Sequence, residues 1–261
     1  MPNNPLNEFN QLVKFVKTGH PFTGMPQHFA AQISSMGFHG YVNDFHSWEG
    51  AVGDSAAPGT GGWIVTSVDG GGDAGEVIDV KDSTTYGALR ILSNDADNDS
   101  TQIQLNGSAF KYVAGKRLWF FTRWAVQDAD DSEVGFGLVI ETATDMIGTA
   151  PTDGLYFEKA ETATAMDFHV RKDDAETEST LLGGTLSDDT YRIQGFVVNT
   201  DGSITVYDGT DIEAMTVVAT IAATNANLPT DEDLTIAYHV QTGAAATRYL
   251  DIDWVLCVQE R

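Results

Sequence analysis

From Tyr41 onward, apolar and polar residues alternate in short runs broken by Gly, Asp, Asn and Thr. The densest run is Leu118–Ile140. Leu118, Phe120, Trp124 and Val126 fall on one face of an extended chain, and Trp119, Phe121, Arg123 and Ala125 on the other. A strand apolar on both faces for most of its length belongs in the middle of a packed sheet. The acidic connector after Val126 reads as a solvated turn, and Val134–Ile140 is expected to return beside the first run as its antiparallel neighbour. Gly135 and Gly137 leave room there for another layer to come close.

The same texture continues through Tyr41–Phe45, Gly62–Val68, Gly87–Leu92, Thr101–Leu105, Leu155–Lys159, Met166–Arg171, Tyr191–Val198, Ser203–Tyr207, Met215–Ile221, Leu234–Val240 and Tyr249–Val258. Asn199-Thr-Asp-Gly202 is a hairpin signal. Roughly fourteen short strands with hardly any helix predict an all-β fold, a large antiparallel two-sheet sandwich of jelly-roll type spanning 41–261 as one domain. Residues 1–40 differ. Pro5 can open a short helix with Leu6, Phe9, Leu12, Val13 and Val16 along one stripe, ended by Gly19 and Pro21. Phe22 and Phe29 follow without strand alternation. This segment predicts an N-terminal arm whose apolar side chains need a partner's surface or the body's own.

Charge sharpens the division. The chain carries 38 acidic and 14 basic residues, a net charge of −24. The arm holds Lys14 and Lys17 against Glu8, so the acidity belongs to the body. Such a surface excludes nucleic-acid binding by the body, which needs Lys and Arg at phosphates. Cys257 is the single cysteine, which leaves no intrachain disulfide. No apolar run reaches the roughly 18–20 residues of a membrane span, and no leader pattern opens the chain. The expectation is a soluble protein made in a cytosol, with no membrane partner and no cofactor.

No cluster announces a reaction. Asp95, Asp97 and Asp99 resemble the start of a calcium loop, but Ser100 and Asn106 stand where the glycine and bidentate glutamate are wanted. An acidic turn is the simpler expectation. Asp251 and Asp253 alternate on one strand, as carboxylates do in sandwich glycoside hydrolases, yet Val255 and Leu256 stand where a third would be wanted. Trp48, in a loop, is the best of five tryptophans for stacking a sugar; core packing is the default for the rest. His20, His28, His39 and His46 lack metal-ligand spacing.

The order of features resembles tailed-phage virion proteins with a concanavalin A-like sandwich. It is carried by Tyr41-Val-Asn-Asp-Phe45, a small-residue loop, Gly61-Gly-Trp63, and Tyr249-Leu-Asp-Ile-Asp-Trp254 running to Arg261. The resemblance implies a capsid decoration or cement protein at the virion surface. It would be made in the host cytoplasm, be non-enzymatic, and bind major capsid protein and neighbouring copies as a dimer or trimer. The arm residues Leu6, Phe9, Leu12, Val13, Val16, Phe22 and Phe29 would make those contacts. The alternative is a carbohydrate-binding or receptor-binding tail or fibre module.

Overall fold

The computed structural model describes residues 38–45, 48, 62–68, 78–80, 87–141, 146–147, 149–181 and 185–261. The helix expected after Pro5, and the seven arm residues expected to bind a partner, lie outside them. The described residues form fifteen strands and one 3-10 turn at Ile212–Ala214. The strands are β1 (Phe38–Asn43), β2 (Trp63–Val68), β3 (Ile78–Val80), β4 (Leu89–Leu92), β5 (Ser100–Leu105), β6 (Leu118–Val126), β7 (Ser132–Val139) and β8 (Gly154–Lys159). They continue as β9 (Asp167–Lys172), β10 (Ala175–Thr180), β11 (Arg192–Val198), β12 (Ile204–Gly209), β13 (Thr216–Ile221), β14 (Thr235–Thr242) and β15 (Tyr249–Glu260). β1 begins at Phe38, so residue 40, where the arm was expected to end, lies inside a strand.

Two antiparallel sheets result. One runs β13-β12-β11-β6-β15-β4-β3, with β1 added beside the second half of β15. The other runs β10-β9-β8-β7-β14-β5-β2. The expected pairing of β6 with β7 is not formed. β6 lies between β11 and β15, whereas β7 lies between β14 and β8 in the opposite sheet. The acidic connector therefore crosses from sheet to sheet. Alternation gives both runs a core-facing side but carries no information on which strand each one pairs with.

The core lies between the sheets and follows the period-2 pattern. Leu118, Phe120, Trp124 and Val126 of β6 enter it, as do Val134, Phe136 and Leu138 of β7. Rings meet across the gap: Trp124 and Phe136 at 5.1 Å between centroids, Phe168 and Phe196 at 5.2 Å. Each such pair contributes about 0.5–1.5 kcal/mol beyond its area. The buried Tyr238 hydroxyl donates to Thr122 Oγ1 at 2.8 Å, tying β14 to β6 through the middle of the sandwich. Trp119 and Phe121, on the other side of β6, join Val197, Tyr207, Leu256 and Val258 in a second cluster on the outer face of the β6 sheet.

Two turns set the edges. Asn199–Gly202 closes β11 to β12 as expected; Gly202 sits at φ 88° and its N–H bonds to Asn199 O at 2.9 Å. The β9–β10 hairpin turns on Asp173 and Asp174, both in the left-handed region at φ 51° and 65°. Two successive positive φ values are the requirement of a type I′ hairpin, which Asn-Gly meets most easily and Asp-Asp meets with more strain.

Candidate functional site

The outer face of the β7 sheet is built from the positions that alternate with its core. Pairing register places Thr66, Gln102, His239, Gly135, Glu158, Asp167 and Thr180 in one row across all seven strands. The next row is Ile64, Gln104, Ala237, Gly137, Tyr156, His169 and Glu178. Here the sheet carries polar and titratable groups where its other face carries aromatics.

Glycines form the floor. A Cβ on Gly137 would lie 2.5 Å from Leu155 O and 2.6 Å from Tyr156 Cα, so only glycine lets β8 come this close. Over Gly135 lies Met146, whose sulfur sits 3.4 Å from where a Cβ would be. The Met146 N–H donates to Gln102 Oε1 at 2.8 Å, and its side chain packs with Val139, Tyr156 and Ala237. One part of the face is thus covered by an apolar plug. The part over β8, β9 and β10 remains polar and partly open.

In that part the Tyr156 and His169 rings stack 11° from parallel with centroids 4.9 Å apart. His169 Nδ1 lies 2.6 Å from Glu176 Oε1, and Nε2 lies 3.9 Å from Glu158 Oε2. Burial pushes the Tyr156 hydroxyl well above its ordinary range, opposed by a hydrogen bond with Arg171. Burial also raises the Glu158 carboxyl. His169 pulls it back, and Glu133, Glu176 and Asp167 add to the rise. A half-buried carboxyl with a raised pKa, beside a buried histidine, is a functional-site signature by its electrostatics. Along β8 the outward positions are Gly154, Tyr156 and Glu158, so this strand offers one carboxylate, not the alternating set of a sandwich glycoside hydrolase.

The residues singled out from sequence fall elsewhere. Asp251 is 1% exposed and takes a bidentate ion pair from Arg90, at 2.7 and 2.9 Å, on the outer face of the opposite sheet. Asp253 is paired with Arg123 on that same face. Arg90 lies over the Tyr249 ring and Arg123 over the Tyr191 ring. Both aspartates are accounted for by ion pairs, and the hydrolase reading of this strand loses its carboxylates. Asp99 is buried and closes a turn by accepting the Ala96 N–H at 2.9 Å, while Asp95 and Asp97 are exposed. The three do not bring ligand atoms within 4.8 Å of one another. Trp48 packs against Trp63, 6.0 Å between centroids, at the margin of the core. Cys257 is wholly buried in an apolar setting, which pushes its thiol pKa up and leaves it inert.

Sequence reasoning missed Glu158, His169, Glu176 and Glu178. Ala175–Thr180 has no apolar alternation to mark it as a strand, because β10 is an edge strand with both faces wet. The legible signal was the alternation Glu176, Glu178 two residues beyond Asp173-Asp174.

No protein-family model matches the chain, and no curated protein matches it. Solved structures do. A protein of unknown function from Shewanella oneidensis MR-1 superposes with a TM-score of 0.57 at 16% identity, over 90% of this chain and 94% of its own. The endo-1,3-beta-glucanase of Streptomyces sioyaensis gives 0.54 at 15%, over 86% and 97%. The carbohydrate recognition domain of Emp47p gives 0.51 at 12%, over 84% and 96%. The fold is a lectin-type, concanavalin A-like sandwich. At these identities the likeness shows fold alone.

Proposed function

We propose that the protein is a non-enzymatic glycan-recognition module that binds sugar on the outer face of β7–β10. The observation that carries this reading is the partly open cluster of Glu158, Arg171, His169 and Glu176 around the buried Tyr156 ring. Carboxylates accept paired hydroxyl donors through charge-assisted hydrogen bonds, and the guanidinium donates to ring and hydroxyl oxygens. Glu133, Glu158, Asp167, Glu176 and Glu178 outnumber Arg171, so the face repels acidic sugars and favours neutral or amino sugars. The sandwich type, shared with a carbohydrate recognition domain, supports the reading. The capsid role and capsid partner expected from sequence gain no support from the similar structures.

The test is a glycan array of neutral, amino and acidic sugars, followed by calorimetry on hits. Neutral or amino sugars should bind, and Glu158→Gln and Arg171→Ala should each weaken binding at least tenfold, about 1.4 kcal/mol. A blank array, or variants that bind like the parent, would sink the reading.

A further inference from the structure

At the open edge of this face, Glu178 joins His169 and Glu176, two residues of the proposed sugar site, and the three converge from two strands. His169 of β9 and Glu176 and Glu178 of β10 place one ligand atom each within 4.8 Å of one another. Register explains the convergence: His169 pairs directly with Glu178, and Glu176 projects on the same side one alternation earlier. The histidine is 8% exposed, while both glutamates are open to solvent. We propose that His169, Glu176 and Glu178 bind a divalent transition metal, with zinc as the fitting ion, clamping the edge strand β10 to β9.

The chemistry of the donors points to zinc over calcium. One imidazole and two carboxylates give the mixed nitrogen and oxygen set that zinc accepts in tetrahedral geometry, with water in the fourth position. Calcium wants six to eight oxygens, and a buried imidazole does not serve it. The ring is also oriented as a ligand should be. Stacking on Tyr156 fixes its plane, Nδ1 faces Glu176 at 2.6 Å, and Glu158 lies on the Nε2 side at 3.9 Å. At 3.9 Å Glu158 is beyond hydrogen-bond reach of Nε2 and acts on the ring through its charge, which favours a cation bound there. The surroundings attract a cation further, since Asp167, cross-strand from Glu158, keeps a buried carboxylate oxygen without a hydrogen-bond partner. The metal would sit between His169 and the two glutamates, drawing Nδ1 and Glu176 Oε1 slightly apart from their present 2.6 Å contact.

The experiment is calorimetric titration of the metal-free full chain with zinc chloride and, separately, calcium chloride, with no sugar present. Thermal unfolding is followed in the same samples. Zinc should bind with one equivalent and raise the midpoint, EDTA should reverse the shift, and calcium should do neither. Glu178→Gln, at an exposed residue whose loss leaves the fold intact, should weaken zinc at least tenfold. His169→Gln should abolish binding, and Glu213→Gln, in the distant 3-10 turn, should change nothing. Absence of zinc binding at millimolar concentration, or equal affinity in Glu178→Gln, would overturn the site. Neither result bears on glycan binding, which the array measures without metal.

Discussion

Asp251 shows how much a single buried charge can decide. Its carboxylate is 1% exposed and lies on the outer face of the β15 sheet, where Arg90, itself stacked over Tyr249, brings it a guanidinium in a bidentate pair. Forming the pair costs desolvation on both sides, but removing one partner strands the other. Arg90→Ala should therefore destabilise by about 3–5 kcal/mol, read as a lower urea midpoint at unchanged slope. A loss under about 1 kcal/mol would mean water replaces the guanidinium, as it does at exposed pairs. Glu158 is the contrasting residue. Burial raises its pKa in the fold, so the folded state holds its proton more tightly than the unfolded chain does. The stability this contributes is present below the unfolded value of about 4.3 and lost as pH rises through the raised one. At pH 7 the ionised group is a burden, and Glu158→Gln should raise the unfolding midpoint there while leaving it unchanged near pH 3.

At the scale of elements, alternation was a good guide to which strands exist and a poor one to how they connect. Both faces of β6 were assigned correctly from Leu118, Phe120, Trp124 and Val126 against Trp119 and Phe121, because burial on a pleated strand has a period of two. Its partners were not legible, since loop closure favours the adjacent run and the actual partners β11 and β15 lie far along the chain. The candidate site was hidden for a related reason. β10 buries nothing to set a pattern, and its turn uses Asp-Asp where Asn-Gly would have announced a hairpin. That turn makes a prediction of its own. Asp174 holds φ at 65°, a conformation glycine adopts without steric cost. Asp174→Gly should stabilise by about 0.5 kcal/mol, the relief of left-handed strain set against a freer unfolded chain and a weak exposed contact with Arg171. A clear destabilisation in thermal unfolding would show that the Arg171 contact matters more than the backbone.

For the whole molecule the governing quantity is charge. A chain at −24 repels itself, and any further negative charge in the fold is opposed both by burial and by the charges already there. The tyrosines bring the two effects together. Burial first, and then Asp251 and Asp253, push Tyr191 up to about 12, and burial also raises Tyr156, Tyr207, Tyr238 and Tyr249. A folded pKa above the unfolded value near 10 gives stability that is complete below pH 10 and is lost as pH climbs toward the folded value. Lys159 works the other way. Burial among the carbonyls of Ser132, Ala160 and Glu161 lowers its pKa, so just below its ordinary value of 10.5 it adds stability as pH rises. The sum predicts little change up to about pH 10 and a steep loss between pH 10 and 12. Urea midpoints across that range, at low and high salt, separate the causes. Salt should recover the part due to repulsion between charges, because screening acts on exposed groups. Tyr191→Phe should flatten the remaining slope at both ionic strengths. A parent protein as stable at pH 11.5 as at pH 9 would show that these hydroxyls ionise as readily in the fold as in the unfolded chain, so that unfolding releases no extra protons.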